Sequence, residues 1–175
     1  MTDPDSIRSV GDIFADQPID VPEKPGVYAF WWIGELQVLL DSNRTMKVKG
    51  PGGNPQNIYL GDWWPDDLHY PCLYVGRSTN LRQRIQRHVM ASKVERLHHI
   101  PSDGTKQKPE TTTCQLRYGI EHIFPKDKEP LNKIFNQVGY SYRTEFGENA
   151  VAERFYTEDL LIGTWRPWFN VDSER

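Results

Sequence analysis

A chain of 175 residues that is 37% hydrophobic is long enough for one domain with a real core. It has no apolar run long enough to span a membrane, no charged-then-apolar N-terminal signal, and only two cysteines at no metal-binding spacing, so a reduced cytoplasmic protein is expected. The net charge of −3 argues against general polyanion binding, but Arg77–Lys108 carries eight Lys or Arg against two acids, a basic patch on an acidic body.

In chain order, residues 1–24 are polar and Pro-containing, a loose lead-in with one helical turn around Val10–Ala15. Pro25-Gly26 signals a turn. Val27–Ile33 is apolar on both faces and predicts a covered, central strand. Leu36–Leu40 and Met46–Val48 read as short strands before a Gly50–Pro55 loop. Trp63-Trp64-Pro65-Asp66-Asp67 reads as a lid packed on the core, its functional alternative being a platform against bases. Leu73 and Val75 alternate with Tyr74 as on a strand. The chain turns at Gly76, and Leu81, Ile85 and Val89 then recur every four residues as on a helix. Ser78, Thr79 and Asn80 are candidate N-caps. Ile100–Thr112 reads as a polar linker. Cys114–Phe124 reads as a strand with Leu116, Tyr118, Ile120 and His122 on one face. Leu131–Val138 reads as a short helix, Ser141–Gly147 as a loop or short strand, and Gly147–Arg166 as a long helix stopped by Pro167.

Two places carry chemistry. Arg84 and His88 are four apart on one line of the predicted helix, and Arg77 sits near its positive end. A strand, a turn and a helix start presenting these groups resemble a phosphate site, the alternative being an exposed basic helix on an ordinary fold. On the last helix, Val151, Phe155 and Ile162 define a buried stripe, and Glu158 falls inside it. A buried carboxylate needs an ion pair or a metal. Arg154 at i−4 is the structural partner, and Mg²⁺ is the functional one.

These residues resemble the GIY-YIG nuclease family. Gly26-Val27-Tyr28 and Tyr74-Val75-Gly76 are similar to its two signature tripeptides, and Asn80-Leu81-Arg82-Gln83-Arg84 to its Asn-Leu-Arg-x-Arg run. Arg77 takes the place of a basic residue, His88 that of a Tyr or His, and Glu158 with Asn170 that of the metal-binding Glu and the Asn after it. The match spans residues 24–35, 72–92 and 150–172. It departs in the long intervals between Tyr28 and Tyr74 and between His88 and Glu158. The resemblance therefore implies an α/β (α+β) fold: a small, mainly antiparallel three-stranded sheet flanked by helices, in one domain over 25–172 with inserts at 36–71 and 93–147. Small free-standing restriction endonucleases are the most similar branch.

What the resemblance implies is Mg²⁺- (or Mn²⁺-) dependent hydrolysis of DNA phosphodiester bonds. Glu158 holds the metal, Arg84 and Arg77 neutralise the phosphate, and Tyr28, Tyr74 or His88 takes the proton from water. The base stays open among those three, and Asn170 orients Glu158 or a strand end. Arg82, Arg87 and Lys93 are further candidates for DNA contact. Restriction-type defence implies a homodimer if palindromic duplex is cut, and a cognate methyltransferase as partner. A structure-specific repair nuclease and a non-catalytic DNA-binding module are the alternatives.

Overall fold

The computed structural model describes residues 1–15, 20–49, 54–89, 114–147 and 149–171. Most of the Gly50–Pro55 loop, Lys93 and the Ile100–Thr112 linker lie outside these residues.

Gly26–Trp32 forms β2, buried at all seven positions. A strand apolar on both faces needs cover above and below and neighbours on both edges. β2 pairs antiparallel with β5 (Cys72–Ser78) on one edge and β6 (Val138–Arg143) on the other. A two-residue strand, β1 (Arg8–Ser9), extends the sheet to the order β1-β6-β2-β5. The sheet is thus the expected three-stranded core plus one short edge strand, and β5 forms the opposite edge.

Alternation along β2 splits the core in two. Tyr28, Phe30 and Trp32 face the larger part, with α3 (Leu81–Val89), α4 (Gln115–Ile123) and α5 (Pro130–Gln137). Val27, Ala29 and Trp31 face the smaller part, with Val75 and with Trp165 of α6 (Val151–Trp165). No helix of the described residues is long and apolar enough to cross a membrane.

Several sequence expectations are corrected. The expected helical turn is present as α1 (Asp12–Ala15), but the lead-in is not loose: it also carries β1, and Val10, Ile13 and Val21 are buried in the larger core. Leu36–Leu40 is a helix, α2, since Leu36, Val38, Leu39 and Leu40 within five residues fit either period. Thr45–Lys49 (β3) is a strand as expected, paired with Pro55–Tyr59 (β4), which the expected reading omits. Cys114–Phe124 is helical, not extended. Leu116 and Ile120 satisfy both periods, but buried Ile123 completes an i, i+4, i+7 stripe that only a helix aligns.

The chain does not turn at Gly76. β5 runs on to Ser78, and Asn80 caps α3, its Oδ1 accepting from the Gln83 N–H at 3.0 Å. On α6 the buried positions are Arg154, Glu158 and Trp165, whereas Val151 is 62% and Phe155 42% exposed. Hydrophobicity mislocates this face because two of its inward residues are ionic, Glu158 paired with Arg77 and Arg154 bonded to a backbone carbonyl.

Candidate functional site

The register of β5 on β2 sets the site. Tyr28 stands opposite Gly76, Phe30 opposite Tyr74, and Val27 opposite Arg77. Opposed residues share a sheet face, so Tyr28 and Tyr74 lie on the α3 side and Arg77 on the α6 side. A Cβ at Gly76 would lie 2.5 Å from the Tyr28 hydroxyl and 2.9 Å from the Tyr74 ring. Glycine is therefore required here by close approach, not by a turn.

On the α3 side, Tyr28, Tyr74 and His88 form one aromatic cluster. The Tyr28 hydroxyl and His88 Nε2 share a hydrogen bond at 2.8 Å, and the Tyr74 ring lies 5.4 Å from the His88 ring and 6.1 Å from that of Tyr28. His88 is on α3 in line with buried Leu81 and Ile85, which carries its ring into the core. Burial, then Arg84, then Arg87 lower its pKa to about 3. Burial, with Tyr74 beside it, pushes the Tyr28 phenol well above its ordinary range, and Arg84 pulls the other way only in part. At neutral pH both groups are uncharged. His88 is thus not the unshifted base that its ordinary pKa suggests. Its Nδ1 is buried without a hydrogen-bond partner among the described residues, and its carbonyl accepts from Cys114 Sγ at 3.2 Å. Tyr74 alone of the three is only partly buried.

On the α6 side, Arg77 pairs with Glu158. The Arg77 guanidinium also lies 4.6 Å over the Phe155 ring. Arg154 donates to the Gly147 carbonyl at 3.3 Å, so the carboxylate meets Arg77 and not the i−4 arginine. Nothing local in the sequence announces a pair 81 residues apart.

No family model matches the chain, and neither a curated protein nor a solved structure matches it.

Asn170 joins the two halves. Its Oδ1 accepts from the Val75 N–H at 2.7 Å and its Nδ2 donates to the Val75 carbonyl at 2.8 Å. These are the outward backbone groups of the edge strand, between Tyr74 and Arg77. Asn170 therefore holds the edge strand at its middle, not at an end, and makes no hydrogen bond to either charged side chain of the pair among the described residues.

The other basic candidates divide. Arg84 has no ion-pair partner among the described residues and is partly exposed, next to the cluster whose titration it biases. Arg87 is exposed. Arg82 is occupied: its Nε donates to the Val21 carbonyl and its Nη1 to Glu23, each at 2.7 Å. It pins the lead-in to α3 and is not a free phosphate contact. Trp63 and Trp64 match the lid reading. Their indoles donate to the Arg166 and Cys72 carbonyls, and Trp64 stacks on Trp168 at 4.6 Å.

For a metal, no three His, Cys, Asp or Glu gather among the described residues. Glu158 offers one carboxylate, with Arg77 on Oε2. Oε1 makes no hydrogen bond among the described residues. A lone hard oxygen fits Mg²⁺, which keeps water and phosphate oxygens as its other ligands.

Proposed function

We propose that the protein is a Mg²⁺- (or Mn²⁺-) dependent DNA endonuclease of the GIY-YIG type, acting in the cytoplasm in restriction-type defence. One observation carries this reading: residues scattered over the sequence meet around a single edge strand. Tyr28, Tyr74 and His88 cluster on one side of β5. Arg77 and Glu158 pair on the other, and Asn170 holds the strand between them. No packing requirement of a small sheet asks for that combination.

Each side chain then has a task. Tyr74, the partly exposed member of its cluster, takes the proton from the attacking water. Tyr28 and His88 are buried and neutral, and they fix the ring plane of Tyr74 through contact. A phenol near pKa 10 needs cationic help to serve as base, and Arg84, which has no ion-pair partner among the described residues, lies beside the cluster. Arg84 also meets the phosphate charge that grows in the transition state, and Arg77 adds to this when the substrate draws it from Glu158. Glu158 would hold the metal, which when bound supplies Lewis-acid stabilisation of the leaving oxygen.

Plasmid digestion with Mg²⁺ tests the reading, beside Glu158→Ala and EDTA controls. Discrete fragments lost in both controls support it. Binding without any cutting, in the presence of Mg²⁺ or Mn²⁺, refutes it in favour of a non-catalytic DNA-binding module.

A further inference from the structure

β3 and β4 form a two-stranded antiparallel ribbon separate from the main sheet. Its register pairs Thr45 with Tyr59, Met46 with Ile58, and Lys47 with Asn57. One face is turned inward. Met46 is 7% exposed within the larger core, and the Thr45 carbonyl lies 2.9 Å from His122 Nε2 of α4. The other face is turned out. Thr45 and Asn57 are exposed, and Tyr59 is 57% exposed with the Arg44 guanidinium 4.9 Å over its ring.

The chemistry of the ribbon differs from that of the protein around it. From Arg44 to Tyr59 the chain carries Arg44, Lys47 and Lys49 and no acid, in a protein of net charge −3. Lysines alone are an ordinary guard on free strand edges. An exposed Asn57 beside an arginine–tyrosine stack is not explained that way.

The ribbon is also anchored to the candidate site. The Leu60 N–H donates to the Arg44 carbonyl at 2.7 Å, closing its root. The next carbonyl, Gly61, accepts from Trp168 Nε1 at 2.8 Å. Trp168 begins the 3-10 turn Trp168–Asn170 whose last residue holds Val75 of β5. The ribbon and the strand bearing Tyr74 and Arg77 thus share one support.

We infer that the β3–β4 ribbon enters the major groove of duplex DNA and that Asn57, on its outward face, determines sequence preference there. This rests on the nuclease reading for its purpose and names duplex DNA as the substrate class. A major groove about 12 Å wide admits a two-stranded ribbon, and Asn or Gln pairs with the Hoogsteen edge of adenine through two hydrogen bonds. Lys47 and Lys49 supply the positive charge that meets phosphate, while Arg44, 4.0 Å from Asp62, braces the Tyr59 ring.

The test is binding, so it does not depend on cleavage. The wild-type protein is titrated with a random-sequence duplex pool in the presence of methyl green, which occupies the major groove, or distamycin, which occupies the minor groove. Methyl green is expected to compete and distamycin is not. Lys47→Gln with Lys49→Gln is expected to weaken binding about tenfold and to reduce the salt slope by about two. Asn57→Ala is expected to keep the slope and to change which sequences are enriched from the pool. Competition by distamycin alone, an unchanged slope in the lysine variants, or unchanged enrichment in Asn57→Ala overturns the inference. A protein that binds in the expected way and never cuts sinks the nuclease reading and leaves the ribbon standing. One that cuts, with ribbon variants indistinguishable from wild type, does the reverse.

Discussion

The Tyr28 hydroxyl and His88 Nε2 meet at 2.8 Å inside the core, with both side chains at most 1% exposed. The Tyr28 hydroxyl and His88 Nε2 satisfy each other at that depth, while His88 Nδ1 has no hydrogen-bond partner among the described residues. The same burial removes both from direct contact with water, which separates the residues that shape the candidate site from the one placed to act in it.

Acid should therefore destabilise the protein through His88. Its pKa is about 3 in the fold against 6.5 for a free side chain. The folded state refuses the proton that the unfolded chain accepts, so this contribution is complete above about pH 6.5 and is lost as pH falls towards 3. The slope from this one group approaches about 1.4 kcal/mol per pH unit. Thermal melts between about pH 7.5 and 5 should fall more steeply for wild type than for His88→Gln. Parallel curves would show that His88 takes up its proton without cost.

The two tyrosines should separate by phenotype. Tyr74→Phe removes a partly exposed hydroxyl and is expected to reduce cleavage by roughly 10²- to 10⁴-fold with folding and DNA binding retained. Tyr28→Phe strands His88 Nε2 in the core and is expected to cost about 1–3 kcal/mol of stability, seen as a lower denaturant midpoint. Equal effects of the two on cleavage, with no difference in stability, would contradict the assignment.

Gly76→Ala is a steric test. The added methyl would lie 2.5 Å from the Tyr28 hydroxyl, inside contact distance, with two tyrosine rings to be displaced. A destabilisation of about 1–3 kcal/mol is expected, together with loss of cleavage. Gly163→Ala, where an added Cβ meets nothing within 4 Å, is the control and should leave both unchanged.

Asn170→Ala leaves the Val75 N–H and carbonyl without partners at the sheet edge. Amide hydrogen exchange at Val75 should accelerate, and stability should fall by about 1–3 kcal/mol. Asn170→Asp retains the acceptor but sets an oxygen against the Val75 carbonyl, so it should rescue little. Unchanged exchange in both variants would mean that another group protects the edge.

Much of the frame is legible in the sequence because it follows from local patterning. The all-apolar run of β2, the change of period from β5 to α3, and the helix of α5 each arise from neighbours a few residues apart. Local patterning misleads where two periods share residues, as in α2 and α4. It also misleads on α6, where Arg154 and Glu158 face inward and Phe155 faces solvent.

The sequence alone determined a central strand, a strand-to-helix unit rich in arginine, and an inward carboxylate on the last helix. Tertiary structure decided everything that depends on which distant residues meet. It paired Glu158 with Arg77 and not Arg154, spent Arg82 on Glu23, and made Asn170 the clasp of an edge strand. It also buried His88 deeply enough to hold it neutral. Periodicity records which face of an element is apolar. Which ionic groups that face can bury, and what each will titrate as, depends on partners supplied from elsewhere in the chain.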